Sequence, residues 1–319
     1  MKTWFITALI GISISLKGQQ AGRASLAIPP SEAISRKAVE LTFESRQSTL
    51  RYAPDVVYAT RGDLNLHLQI VSGRAETPMP CLVYIQGSAW MKQNVYGNLP
   101  QLILFAQRGF AVAVVEYRPS DVAPFPAQVQ DARSAVRFLR KNAERYNLDP
   151  DNIFLWGDSS GGHTAVFAGI TSGMPVFDAG DYPEFSDEVN AIVDYYGPTD
   201  VSKMNDFPSS MDHVQPDSPE GKLLGGVNVL ENLEMARRAS PMTYIRADRA
   251  IPPLFIAHGD VDALVPFNQS DLLALKLEKE GKDFEFYLLK GADHGTAEFW
   301  SDPMFARVEA FLRRNMRTQ

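Results

Sequence analysis

The chain has a single cysteine, Cys81, among 319 residues. An intramolecular disulfide and a thiolate zinc site are both excluded, so stability must come from packing. Basic charge is also short: 31 Lys and Arg stand against 38 Asp and Glu, a formal net charge of −7 at pH 7. That balance disfavours a nonspecific grip on nucleic acid or on an anionic membrane. Repeats and low-complexity tracts are missing, and beyond the N-terminal leader no stretch is continuously apolar for 18 positions. What is present is a chain with 45% apolar and only 22% charged residues, enough for one large core or two modest ones.

The first residues read Lys2, an apolar stretch from Trp4 to Leu16, then Lys17, Gly18 and small residues up to Ala24. This is the pattern of a secretory signal peptide over residues 1–24, followed by one domain over 25–319. Thirteen residues make a helix of about 20 Å, shorter than the roughly 30 Å bilayer core, so no stable membrane anchor is expected. Cleavage after Ala24 would remove Lys2, Lys17 and Arg23 and take the net charge to −10. The expected location is secreted or periplasmic.

After a polar stretch from Ser31 to Ser48, Val56–Ala59 and Leu64–Val71 flank Arg61-Gly62-Asp63, a hairpin signal. Short apolar runs then alternate with helical periodicity. Strands are predicted at Cys81–Ile85, Phe110–Tyr117, Ile153–Trp156, Ala191–Tyr195, Leu254–His258 and Phe284–Leu289. Helices are predicted at Leu99–Arg108, Ala127–Arg145, from Ser160, at Asn268–Lys279 and at Pro303–Arg314. Such alternation implies an α/β fold, a mainly parallel sheet with helices on both faces. Residues 198–251 break it with Pro, Ser, Asp, Gly and Met, and read as a cap or lid-like insertion.

Gly157-Asp158-Ser159-Ser160-Gly161-Gly162 lies between a predicted strand and a predicted helix. A Gly-x-Ser-x-Gly pattern arises by chance in roughly one chain in ten of this length, so its placement carries the argument. The context suits a nucleophile elbow, with Ser159 projecting at a helix N-terminus. A phosphate loop fits less well, because no Lys-Ser/Thr follows. A serine hydroxyl needs a histidine base, and the base needs a carboxylate to hold its tautomer.

Five histidines are available. His67 falls in the hairpin, His163 points from the helix away from the elbow tip, and His213 sits in the insertion, all better read as structural. His258 reads as shaping the turn at Gly259. His294, in the loop Gly291–Gly295 before the last helix, is the candidate base. Asp260 and Asp262 lie in the loop after the preceding strand, and one of them should orient it. A metal site built from His258, Asp260, Asp262 and Asp293 lacks a recognised spacing, so neither metal nor cofactor is expected. Backbone donors for a tetrahedral oxyanion are expected from Gln86-Gly87-Ser88-Ala89-Trp90, after the strand Cys81–Ile85, and from the Ser160 N–H.

These motifs together resemble an α/β-hydrolase esterase related to the hormone-sensitive-lipase clan, most of all its bacterial feruloyl-esterase-like (BD-FAE) branch. The likeness runs from about Val56 to Leu312. It is carried by Gln86–Trp90, Glu116-Tyr117-Arg118, Pro124–Ala127 with Asp131-Ala132, the elbow, Tyr196-Gly197-Pro198-Thr199-Asp200, Ser218–Gly226, Ala239-Ser240-Pro241 and His258–Pro266. The resemblance implies Ser159 as nucleophile, Asp262 rather than Asp260 as the acid, and His294 as the base. Relatives usually carry His-Gly-Gly-Gly-Trp where this chain has Gln86-Gly87-Ser88-Ala89-Trp90. The matching positions imply backbone donors at Ser88 and Ala89, and the Ser88 hydroxyl is a candidate further donor. Trp90 and Tyr96 are candidate substrate-binding residues. The implied function is a secreted, cofactor-free serine carboxylesterase acting on small-molecule or polysaccharide-linked esters, such as acetyl or feruloyl esters. The rivals are a serine peptidase of the same fold and a noncatalytic carbohydrate-binding module.

Overall fold

The apolar runs become strands whose two faces are both covered. The computed structural model describes residues 50–73 and 75–318, together with Lys37. The chain divides at Arg46/Gln47, and the unit Gln47–Gln319 holds the sheet and its helices. The leader assigned to residues 1–24 and nearly all of the polar stretch after it lie outside the described residues.

Eight strands form one sheet in the order β1-β2-β4-β3-β5-β6-β7-β8. β1 (Leu50–Arg61) and β2 (Leu64–Gly73) form the hairpin, and β2 also pairs antiparallel with β4 (Ala111–Val115). From β4 onward every neighbouring pair is parallel: β3 (Met79–Ile85), β5 (Leu148–Asp158), β6 (Ile192–Tyr195), β7 (Leu254–Gly259) and β8 (Phe284–Leu289). Strand geometry sends alternate side chains to opposite faces. Cys81, Val83 and Ile85 of β3 therefore join one apolar cluster, with residues of α2 (Ala127–Lys141), α4 (Ser160–Ile170) and α7 (Asn268–Lys279). Leu82 and Tyr84 join the other, with α1 (Leu99–Ala106) and α8 (Asp302–Arg314).

The helix predicted for Ala127–Arg145 is interrupted at Asn142, after which a short α3 covers Ala143–Tyr146. Asn142 donates both its N–H and its side-chain amide to the Phe138 carbonyl, at 3.0 and 2.8 Å. That local competition is why Asn ends helices more readily than it continues them. Residues 198–251 hold two short helices, α5 (Pro219–Leu223) and α6 (Leu233–Ala239), over a small apolar cluster of their own that includes Trp90. No helix among the described residues is long and apolar enough to cross a membrane.

The chain leaves β3 toward β4 on one side and returns to β5 on the other, so β3 is the topological switch point. The crevice beyond the carboxyl ends of such strands is where open α/β sheets place their sites. Ile85 is in register with Gly157, which sets the loop after β3 directly beside the loop after β5.

Candidate active site

The turn after β5 is forced by close backbone contact. A side chain on Gly157 would put its Cβ 2.1 Å from the Gly161 carbonyl oxygen, and one on Gly161 would come within 1.9 Å of the Ile85 oxygen. Only glycine fits either place. Between them Ser159 adopts φ 52° and ψ −128°, a conformation that side chains rarely take, immediately before α4. Its hydroxyl therefore stands at the helix N-terminus, where first-turn N–H groups lack intrahelical partners.

Two loops build a relay onto that hydroxyl. Nε2 of His294, from the loop after β8, lies 3.0 Å from Ser159 Oγ. Nδ1 of the same ring lies 2.8 Å from Asp262 Oδ2, after β7. The other oxygen of Asp262 accepts the N–H groups of Leu264 and Val265, each at 2.9 Å. Burial alone would raise the Asp262 pKa, but hydrogen bonds from His258 and His294 outweigh it and hold it far below the usual carboxylate range. Tyr196, itself at φ 44°, packs edge-on against the His294 ring with centroids 4.6 Å apart. Asp293 accepts the N–H groups of Ala263 and His294, which ties the two loops together.

Asp260 faces elsewhere: it accepts the Gly291 N–H and pairs with Lys290. His258, Asp260, Asp262 and Asp293 thus do not converge as a metal would need. Among the described residues no group of three or more His, Cys, Asp or Glu is placed to hold a metal ion.

The loop Gln86–Trp90 lies against the elbow as expected, but its donors are arranged differently. The Ser88 N–H donates to Ser160 Oγ at 2.9 Å, and the Ser88 hydroxyl donates to the Met91 carbonyl at 2.6 Å, 3.0 Å from the Tyr117 hydroxyl. Both Ser88 donors are spent, so Ser88 is corrected from an oxyanion donor to a loop anchor. The Ala89 and Ser160 N–H groups are left as candidates, with Ala89 and Trp90 both in the left-handed region at φ 54° and 55°. Asp158 holds the loop from below by accepting the Gly87 N–H at 2.9 Å and the Tyr84 hydroxyl.

Trp90 also differs from expectation. It is 1% exposed, and its indole N–H donates to His163 Nδ1 at 3.1 Å, while His163 Nε2 donates to the Ala239 carbonyl at 2.7 Å. Trp90 is therefore a support between loop, helix α4 and insertion rather than a pocket wall. Burial pushes the His163 pKa down to about 4, which keeps the ring neutral as these two bonds require. Tyr96 is half-exposed and donates its hydroxyl to Asp55 at 2.7 Å.

His258, which sequence context alone makes a turn former, belongs to the site. It is fully buried, with Nε2 3.3 Å from Asp262 Oδ2. Its position four residues before Asp262 is the one signal in the sequence that points there.

Residues 68–277 match the BD-FAE family. Over 228 residues the chain is 32% identical to the probable carboxylic ester hydrolase LipM of Mycobacterium tuberculosis, covering 68% of this chain and 49% of LipM. It is 29% identical to the esterase LipC of the same organism over 223 residues, covering 68% and 53%. The chain thus spans about half the length of the curated relatives it matches. Among solved structures, a truncated carbohydrate esterase from gut microbiota superposes with a TM-score of 0.74 at 29% identity, covering 86% of this chain and 98% of that one. A bifunctional GH43-CE protein of Bacteroides eggerthii gives 0.72 at 30% identity, covering 83% and 38%.

Proposed function

The chain belongs to the BD-FAE family of α/β-hydrolases, and from that premise we propose that it is a serine carboxylesterase working through an acyl-enzyme. The observation that carries the reading is the continuous relay of Ser159 Oγ, His294 and Asp262, linked at 3.0 and 2.8 Å. Ser159 Oγ attacks the ester carbonyl carbon while its proton passes to His294 Nε2. Asp262 holds the Nδ1–H tautomer that makes Nε2 basic and stabilises the imidazolium. The Ala89 and Ser160 N–H groups receive the developing oxyanion, aided by the N-terminus of α4. His294 then returns the proton to the departing alkoxide, and water repeats the sequence to free the acid.

We infer that the substrates are small or polysaccharide-linked esters, of the acetyl or feruloyl kind. The names of the carbohydrate-esterase neighbours support this, as does the net negative charge, which is unsuited to an anionic substrate. The leader pattern of residues 1–24 supports export to the periplasm or beyond.

Covalent labelling with a fluorophosphonate, together with hydrolysis of p-nitrophenyl acetate, tests the chemistry. Both are expected in the native chain and both should vanish in Ser159→Ala. Labelling with faster cleavage of an aminoacyl anilide would instead make the protein a peptidase, and absence of labelling would leave a binding module. Release of acetate and ferulate from arabinoxylan tests the substrate class.

A further inference from the structure

Asp262 is addressed by two imidazoles. Oδ2 takes the His294 Nδ1–H at 2.8 Å and lies 3.3 Å from His258 Nε2, while Oδ1 is saturated by the two backbone N–H groups. The His258 tautomer follows from its partners. Nε2 is also 2.9 Å from the Val265 carbonyl, which can only accept, so Nε2 carries a hydrogen. Nδ1 is 2.7 Å from the hydroxyl of Ser270, in the first turn of α7, and in the neutral ring it accepts from that hydroxyl. The two rings therefore meet one carboxylate oxygen through opposite nitrogens.

We propose that His258, set by Ser270, is a positioning residue of the relay: its Nε2–H, shared between Val265 and Asp262, fixes the carboxylate plane and tempers its pull on His294. The proposal rests on the esterase reading. His258 touches no substrate, because it is wholly buried behind Asp262. Removing its N–H leaves Oδ2 with one partner and a stronger hold on the proton of protonated His294. The free enzyme then needs a higher pH to expose a neutral base.

Two measurements test this. Histidine-selective 15N NMR of the native protein should find His258 as the neutral Nε2–H tautomer and His294 as Nδ1–H, and a His258 Nδ1–H tautomer would overturn the proposal. In His258→Leu the acid limb of kcat/KM should move up by about half a pH unit. The same variant should lose about tenfold in kcat with KM unchanged. In His258→Gln, whose amide N–H can reach the same oxygen, the limb should return. A merely structural role lowers thermal stability in both variants without moving the limb, and an unmoved limb in folded His258→Leu would overturn the assignment. If His258→Leu does not fold, the limb is read in His258→Ala, with the same two outcomes. Native protein that neither labels with fluorophosphonate nor cleaves p-nitrophenyl acetate would sink the esterase reading instead, with the tautomer still readable.

Discussion

The Ser88 hydroxyl donates to the Met91 carbonyl at 2.6 Å, which turns it away from any bound carbonyl oxygen. Met91 O also accepts the Gln93 side-chain amide, and Gln93 in turn accepts the Tyr117 N–H at 3.0 Å. This network fastens a loop in which Ala89 and Trp90 hold left-handed backbone without being glycine. Ser88→Ala is expected to cost about 1 kcal/mol of stability, the worth of one hydrogen bond, and less than tenfold in kcat. Loss of a true oxyanion donor costs about 10²-fold to 10³-fold. Steady-state kinetics alongside urea unfolding separate the two, and a loss in the larger range would reinstate the hydroxyl as a donor.

Asp262→Asn should keep the fold, because an amide oxygen can still accept from Leu264 and Val265 at the Oδ1 position. The amide NH₂ would then face His294 Nδ1 and favour the tautomer whose Nε2 bears hydrogen, which cannot accept the Ser159 proton. A fall in kcat of roughly 10³-fold to 10⁴-fold is expected, with a modest drop in melting temperature because the same NH₂ also meets the His258 Nε2–H. A loss of only a few-fold would mean that another carboxylate orients the base.

The parts of this molecule that are legible in sequence are those where one residue type alone satisfies a local constraint. The elbow is readable because Gly157 and Gly161 leave no room for a Cβ, and the strands because alternate apolar residues must fill two covered faces. The direction of a side chain within a loop is not readable. Ser88 and Trp90 look like site residues because they follow β3, yet their orientation depends on positive φ values and on the fold of residues 198–251, which no periodicity announces. His258 is hidden for a related reason. Beside Gly259 it looks like a turn residue, and only the course of the loop to Val265 brings its ring back onto Asp262.

The insertion is fastened to the acid loop through a histidine that must be charged to make all its bonds. His213 Nδ1 faces Glu220 at 2.9 Å and Nε2 faces the Leu264 carbonyl at 3.1 Å and Ser209 at 3.0 Å, so both nitrogens need hydrogen. Burial works against the cation, but the bond to Glu220, its charge, the Leu264 carbonyl and Asp212 outweigh it and raise the pKa. A histidine raised on folding contributes stability that is complete below its unfolded pKa of about 6.5 and is lost as pH rises through the folded value. Urea midpoints of the native chain should therefore decline on the alkaline side of about pH 6.5, and His213→Gln should flatten that decline. Equal slopes in the two proteins would show that the imidazolium makes no net contribution.

Asp194 carries the opposite kind of burial, a carboxyl with too few partners. It is wholly inaccessible on β6, Oδ1 accepts the Gly197 N–H at 3.0 Å, and Oδ2 has no hydrogen-bond partner. Burial pushes its pKa up to about 7, only partly offset by that one bond. A carboxyl raised on folding weakens the fold as pH climbs from its unfolded value near 4 through 7, because the unfolded chain ionises first. The full shift corresponds to at most roughly 4 kcal/mol at pH 8, and relaxation around the charge reduces it. Asp194→Asn keeps an acceptor for Gly197 and cannot ionise, so it should be more stable than the native chain at pH 8, about equal to it only near pH 3, below the unfolded carboxyl value, and free of the slope between. Thermal melts across that range would decide it, and a variant less stable at pH 8 would mean that the ionised carboxylate is satisfied in solution by a group such as water.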